Sequence, residues 1–400
     1  MSNVLNSMLY WSIILLPFSV GVSPGFANAV IAVIIITCLA VRMQSKKPIR
    51  LPAAISVPLL CIVIFSLASF WNTVDYRASA QGMIKLLKHI LLLLACAYGI
   101  KDKAHFKKIV ISAACGIALV SIDALWQMTF GKDFIYGNPM QSSIIGLARA
   151  TAVFPGTNAM AVYLAAITPL VVGLAFFCPQ EKHKVFLRFA GILGLAGIYV
   201  AFSRGAAIGA YVALLIFGIS RRKRVFTVVL LLALLLYPFI MPKQIKGWVK
   251  QIHYNPAIFL CNEDRLYIYL NALNMIRHHP FVGVGVNAFS ISIDAYRVKG
   301  VNAPYIAPRI YAHNNFLHMA GEIGLLGLAA FIWFLFAVFR RGIRLFRRTP
   351  DDYVKVLAVS ALACCAAFLI NGLTETSLYY ARVSMTFWYM AGLSLALENV

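Results

Sequence analysis

Acidic residues are scarce: 13 Asp and Glu stand against 36 Lys and Arg in 400 residues, and charged residues of both signs make up only 12% of the chain. Soluble globular chains carry about 25% charged residues, so that class is excluded. A net charge of +23 would suggest nucleic acid in a soluble protein. Here the basic residues sit in short clusters between apolar runs, so no nucleic-acid partner is expected. The eight cysteines include no zinc-like CxxC pair, and Cys261 stands alone in a polar stretch. No HExxH, DxD, Walker or GxSxG pattern is present, so no metal site, nucleotide-sugar site or hydrolase elbow is expected. The alternating ten-residue segments of an outer-membrane barrel are missing, as are repeats and low-complexity tracts. The first apolar stretch lacks a basic n-region and is soon followed by another, so Met8 onward reads as a retained span.

What remains is apolar: 61% of residues are hydrophobic, 27 of them Phe, and the mean hydropathy is +0.81. The fold class these numbers define is all-α, a polytopic integral membrane protein. Twelve apolar windows are candidate spans: 8–22, 26–41, 53–70, 84–99, 109–129, 158–177, 186–202, 205–219, 225–241, 315–339, 354–371 and 379–396. One polar stretch, 242–312, is too long for a simple connection and is expected to carry function. The expected organisation is therefore 1–241 with nine helices, 242–312 as one large loop outside the membrane, and 313–400 with three helices.

Orientation follows from the basic clusters. Arg42/Lys46/Lys47/Arg50, Lys101/Lys103/Lys107/Lys108, Lys182/Lys184/Arg188, Arg221–Arg224 and Arg340/Arg341/Arg344/Arg347/Arg348 occupy every second connection, and these face the cytoplasm by the positive-inside rule. The segment 130–157, the turn at Ser203-Arg204-Gly205, the long loop and the link around Glu375 then face outward.

Cations on that outer side oppose the bias and need a reason. Arg204 lies between two apolar helices with no acidic neighbour; it reads either as an arginine snorkelling to the headgroups or as a guanidinium gripping a phosphate. Gly205 would let a backbone approach closely. Arg265, in Asn262-Glu263-Asp264-Arg265-Leu266, has Asp264 beside it and reads equally as half of a surface ion pair. The glycines of Gly283-Val284-Gly285 suit part of a phosphate loop or a tight turn.

At Tyr311-Ala312-His313-Asn314-Asn315-Phe316-Leu317-His318 the chain re-enters the membrane. His313 is a candidate general base, since imidazole titrates near neutrality. Asn314 and Asn315 are candidate substrate contacts, or helix N-caps, and His318 falls on another helix face. Arg149, in the run to Asn158, and Glu375, after Asn371-Gly372, are further outer-side candidates. Asp123 and Glu322 are intramembrane acids, functional by default or buried hydrogen-bond partners.

The SRG turn between adjoining spans, an Arg opening a helix before His279-Pro280-x-x-Gly283-x-Gly285-x-x-x-Phe289, and His313-Asn314-Asn315-x-Leu317 follow one another in order. Together, over about 149–328, they resemble the bacterial O-antigen ligase and polymerase superfamily, and within it the ligases. The resemblance implies an inverting glycosyltransferase of the bacterial inner membrane. It would move a completed glycan from an undecaprenyl-pyrophosphate carrier to lipid A-core at the periplasmic face. It also implies that Arg204 and Arg265 hold the donor pyrophosphate and that His313 is the catalytic base, with Arg149 a lesser donor or glycan contact. No cofactor and no divalent metal are expected, because arginines can neutralise the leaving group. A polymerase or a protein O-oligosaccharyltransferase would share this fold and donor. A secondary transporter or flippase would also place cations outward, but should show broken helices in paired halves, and no internal symmetry is evident.

Overall fold

The computed structural model describes all residues except 1, 47–50, 143–145, 179–181, 241, 262, 299–309 and 400. Lys47 and Arg50 of the first basic cluster, Asn262, and the 299–309 part of the long polar segment therefore lie outside the described residues.

The protein is an all-α polytopic membrane protein. Its helices are α1 (Ser2–Val22), α2 (Pro24–Ser45), α3 (Ala53–Ala68), α4 (Tyr76–Gly99), α5 (Lys103–Phe130), α6 (Thr157–Phe177), α7 (Lys184–Val200), α8 (Arg204–Ser220), α9 (Arg224–Ile240), α10 (Lys243–Gln251), α11 (Pro256–Cys261), α12 (Glu263–His278), α13 (Phe289–Ser292), α14 (Asn315–Arg348), α15 (Asp352–Asn371) and α16 (Ala381–Ala396). A short antiparallel pairing of Gln141–Ser142 with Ala148–Arg149 interrupts the connection from α5 to α6. Each of the twelve apolar windows falls on a helix. Among the described residues, eight of these can cross a membrane by length and composition, namely α1 to α6, α14 and α15, the third counted with the 3-10 turn that extends it to Asn72; α8 is apolar but shorter, as is α9 over Arg224–Leu236.

Side chains set the helix starts. Ser23, Asp75, Asp102, Asn314 and Asp351 each accept a backbone N–H from the first turn, which satisfies donors left over where a helix begins. The tenth window ends earlier than its helix, because α14 runs on through the last basic cluster to Arg348 before Thr349-Pro350 stops it. Arginine is a good helix former, so a charge cluster need not end a helix, whereas the residue before a proline disfavours helical backbone. The polar segment 242–312 is likewise not an open loop: much of it folds into α10 to α13 and a 3-10 turn over Ile293–Tyr296.

The centre of the bundle is α6, nearly every residue of which is buried, flanked by α15, α7 and α16. Large apolar residues face outward on α2, α3 and along α9, among them Ile36, Leu60, Leu67, Leu232 and Leu235. Patches of this kind are unfavourable in water and natural in hydrocarbon. Close helix crossings depend on small residues. Gly205 and Gly209 of α8 face α15, where a Cβ on Gly209 would lie 2.5 Å from the Ala367 carbonyl oxygen and one on Gly205 would meet Asn371 and Thr374.

Three ion pairs gather the basic connections at one end of the bundle: Lys103 with Asp351, Arg221 with Asp352, and Arg341 with Glu398. The 242–312 segment packs at the other end, where α12 lies on the first turns of α14. There the glycine pair is used in packing. α14 breaks at Gly324, whose φ is +74°. The carbonyls exposed before the break accept from the amides of Val284 and Gly285, at 2.9 Å from Gly321 and 3.0 Å from Glu322, while the Leu325 amide donates to the Pro280 carbonyl at 2.7 Å. Gly283 and Gly285 have φ of +70° and +112° and stand too close to Glu322 and Thr73 for any side chain. The turn reading of these glycines is the one the structure realises.

Candidate functional site

Six side chains from five separated parts of the chain meet at the 242–312 end of the bundle, around Glu375. The carboxylate belongs to the tight link between α15 and α16 and is only 2% exposed. Its Oε1 bonds His313 Nδ1 at 2.8 Å and accepts from the Tyr380 hydroxyl at 2.8 Å. Its Oε2 accepts from Arg265 Nη2 at 3.1 Å and from Asn158 Nδ2 at 2.5 Å. Asn158 in turn accepts from Arg149 Nη2 at 3.0 Å, so Arg149 joins the cluster at one remove.

Each member is held by its own element. Arg265 lies in the first turn of α12 and also donates through Nη1 to the Thr374 carbonyl. Arg149 ends the short strand pairing and donates through Nε to the Ala201 carbonyl at 2.8 Å, beside the SRG turn. His313 directly precedes the N-cap of α14 and has φ +48°, a left-handed conformation that a non-glycine residue adopts at a cost of about 1–3 kcal/mol. The Tyr269 hydroxyl, bonded to its carbonyl at 3.0 Å, helps to hold it there.

The electrostatics follow from burial and partners. Burial pushes the Glu375 carboxyl up, but the His313 hydrogen bond, the Arg265 and His313 charges and the Tyr380 hydroxyl together outweigh it and hold it down to about 2. Burial, reinforced by the Glu375 charge, raises Tyr380 above the usual phenol range, so it remains a proton donor. Burial and then the nearby Arg265 charge draw Arg149 below the usual arginine value.

A carboxylate only accepts, so His313 Nδ1 carries a hydrogen, and in the neutral form of the ring Nε2 is the basic nitrogen. The ring is 24% exposed. A buried carboxylate fixing the tautomer of a partly open imidazole is the arrangement of a positioned general base and its orienting group. Two arginines alongside supply positive charge for an anion.

Other sequence candidates fall elsewhere. Arg204 begins α8; its Nη1 donates to the Phe259 carbonyl, and its guanidinium lies 4.9 Å from the Trp248 ring centroid and 5.5 Å from that of Phe259. It approaches the cluster through its neighbour Gly205, which abuts Thr374. Asn314 is the N-cap of α14, accepting from the Phe316 and Leu317 amides at 2.9 and 3.0 Å. Asn315 is buried and clamps the link that carries Glu375, donating to Ser377 Oγ and accepting from the Leu378 amide, both at 2.9 Å. The Asn315 amide is thus turned into the protein, while Asn314 Nδ2 donates to the Leu373 carbonyl at 2.9 Å near the surface.

His318 is fully buried among Phe289, Tyr311 and Tyr379, with Nε2 3.2 Å from Glu322 Oε1. Asp123 accepts from the Phe134 amide at 2.9 Å and ties the α5–α6 connection down. Among the described residues no group of three His, Cys, Asp or Glu side chains forms a metal site.

Tyr380, Tyr269 and the linking role of Asn158 escaped sequence reasoning, since nothing in their local pattern distinguishes them. Arg382 is a different case. It is a buried cation at the start of α16, donating to the Val20 carbonyl at 2.7 and 3.2 Å and to the Val153 carbonyl at 2.8 Å. The positive-inside argument that singled out Arg204 applies to it equally, and its bonds make it a brace between α1, α16 and the α5–α6 connection.

An all-α membrane protein that orients a histidine with a buried glutamate beside clustered arginines has the parts needed to transfer a group from an anionic leaving group. A family model described as O-Antigen ligase matches residues 189–332, so this stretch of the chain is similar to that family. That stretch contains Arg204, Arg265 and His313; Arg149, Asn158, Glu375 and Tyr380 lie outside it and are brought to it by the fold. No curated protein matches the chain.

Proposed function

We propose that the protein is an O-antigen ligase, moving a polysaccharide from undecaprenyl pyrophosphate to a sugar hydroxyl of lipid A-core at the periplasmic face of the bacterial inner membrane. The observation that carries this reading is the His313–Glu375 contact at 2.8 Å with Arg265 on the other carboxylate oxygen. His313 Nε2 takes the proton of the acceptor hydroxyl while its oxygen attacks the anomeric carbon from the face opposite the carrier. The carbon–oxygen bond to the pyrophosphate breaks, and its electron pair leaves with the pyrophosphate, whose charge Arg265, Arg149 and Arg204 balance. The result is inversion at the anomeric centre. With arginine charge at the leaving group, turnover should be undiminished in excess EDTA.

The test uses purified protein, lipid-linked donor and lipid A-core. His313→Ala is expected to bind donor normally and to lose transfer; poor donor binding with normal transfer at saturation would make His313 a binding residue instead. A deletion strain separates acceptors. Polymer accumulating on the lipid carrier and missing from core supports the ligase. Core carrying a single repeat unit would point to a polymerase, and loss of glycan from protein alone to a protein transferase.

A further inference from the structure

A second feature lies on the far side of the α15–α16 link from Glu375. A cavity of about 290 Å³ opens there between α2, α3, α4, α14 and α16, bounded above by Val286 and Asn287. None of its lining residues belongs to the Glu375 cluster. Its floor is apolar, with Ile62, Leu86, Ile323 and Trp388, while Lys85 and Lys88 stand at its edge. Exposed Ile84 and Leu87, between and beside the lysines on α4, show that this face of the helix looks into lipid.

Two lysines one turn apart in a membrane-crossing helix are costly without a partner. Here, among the described residues, each ammonium finds only a neutral amide: Lys85 Nζ donates to Asn287 Oδ1 at 3.3 Å and Lys88 Nζ to Asn28 Oδ1 at 3.2 Å. Both amides lie towards the 242–312 end, so the lysine stems reach up to the depth where lipid headgroups sit, leaving the apolar space below. A second observation comes from inside the cavity. Ser66 lines it, is 1% exposed, and its hydroxyl has no hydrogen-bond partner. Buried hydroxyls are normally satisfied, so an unmet one facing a cavity calls for an occupant.

We infer that this cavity is a binding site for a phosphate-bearing membrane lipid, its phosphate between Lys85 and Lys88 and the first part of its chain against Ile62, Ile323 and Trp388. Ammonium groups with spare donors replace weak amide contacts by charge-assisted bonds to phosphate oxygens. The lateral opening lets a chain enter from the bilayer without leaving hydrocarbon. The site does not depend on which acceptor the protein uses.

The test is lipid retention by the full-length protein, released from nanodiscs and weighed by native mass spectrometry. Nanodiscs of phosphatidylglycerol mixed with phosphatidylcholine should leave one phosphatidylglycerol bound, favoured roughly tenfold or more over phosphatidylcholine, the ratio that about 1.4 kcal/mol represents. The Lys85→Gln/Lys88→Gln variant should lose that preference, and Lys85→Arg/Lys88→Arg should keep it, which separates lost charge from lost folding. Ile62→Trp, which leaves both lysines in place, should lower retention by filling the chain space.

Adding polyprenyl phosphate distinguishes the source: displacement of phosphatidylglycerol marks an isoprenoid lipid as the preferred occupant, and failure to displace it marks an acyl lipid. Competition by inorganic phosphate alone at equal concentration would overturn the assignment, since it would mean an anion site with no role for the chain. So would equal retention of both phospholipids by the unaltered protein, or an unchanged preference in the Gln variant.

Discussion

At the scale of single residues, Glu375 decides most. A buried carboxylate is unfavourable unless its lone pairs are met, and its two oxygens are met by His313, Tyr380, Arg265, Asn158 and the Thr376 amide. Glu375→Gln keeps the shape but can donate to His313 Nδ1, favouring the tautomer with its hydrogen on Nε2. Transfer should fall by about 10²-fold or more while donor affinity holds; a near-normal rate constant would remove the orienting role. The same carboxylate makes a pH prediction. Its folded value of about 2 lies below its ordinary 4.5, so the stability it contributes is fully present above pH 4.5 and is lost as pH falls towards 2. Melting of the unaltered protein in detergent should therefore drop more steeply over that window than melting of the Gln variant. Arg265→Lys should also be severe, because one ammonium cannot serve both the Thr374 carbonyl and Glu375 and still offer a fork to phosphate. Arg204→Lys should be impaired as well, because the ammonium keeps the charge but loses the guanidinium fork and its stacking on Trp248. Full transfer by both Lys variants would reduce these arginines to anchors. Of the side chains that meet at Glu375, His313, Arg265 and Arg149 could be singled out as candidates in the sequence because outward cations and a histidine at a membrane re-entry stand out against an apolar background. Asn158 was not, because its role comes from contact with a segment more than two hundred residues away, and Tyr380 was not, because nothing in its local pattern marks the hydroxyl that meets Glu375 five residues earlier.

At the scale of elements, hydropathy located the helices because burial in lipid demands long apolar runs, and it left their ends loose because charged residues such as Arg340 to Arg348 also form helix. The polar segment was hardest to read. Apart from the apolar period running to Ile276 in α12, its short helices have no period long enough to register, and α12 and α13 pack on α14. Gly205 shows how an element-scale cause can resemble a residue-scale one: the position suited a close phosphate approach, yet its neighbour one turn on, Gly209, shows the pair to be a packing seam with α15. Gly209→Leu should push α8 off α15, shift Thr374 under Arg265, and lower both melting temperature and transfer; retained transfer in a fully folded Gly209→Leu protein would dissociate seam from site. Gly324→Ala should be destabilising by about 1–3 kcal/mol, since it forces a side chain into a left-handed residue packed against the Phe281 carbonyl. Thermal unfolding against the unaltered chain measures it.

At the scale of the whole molecule, the ion pairs at one end and the Glu375 cluster at the other divide the bundle as the alternation of basic connections requires. Impermeant thiol reagents, applied to intact cells after replacement of the native cysteines, should label single cysteines in 242–312 and spare one at 221. The reverse pattern would overturn the orientation. The order in which the cluster is assembled has a consequence for biogenesis. Arg149, Asn158, Arg265 and His313 all leave the ribosome before Glu375, and Tyr380 follows it, so the nascent chain holds its arginines and histidine in place of a site until the final hairpin of α15 and α16 inserts. Insertion of that hairpin delivers the one carboxylate on which the other groups converge. A chain stalled or clipped before it would be an inert membrane passenger, its histidine left without the carboxylate that orients it while still being made.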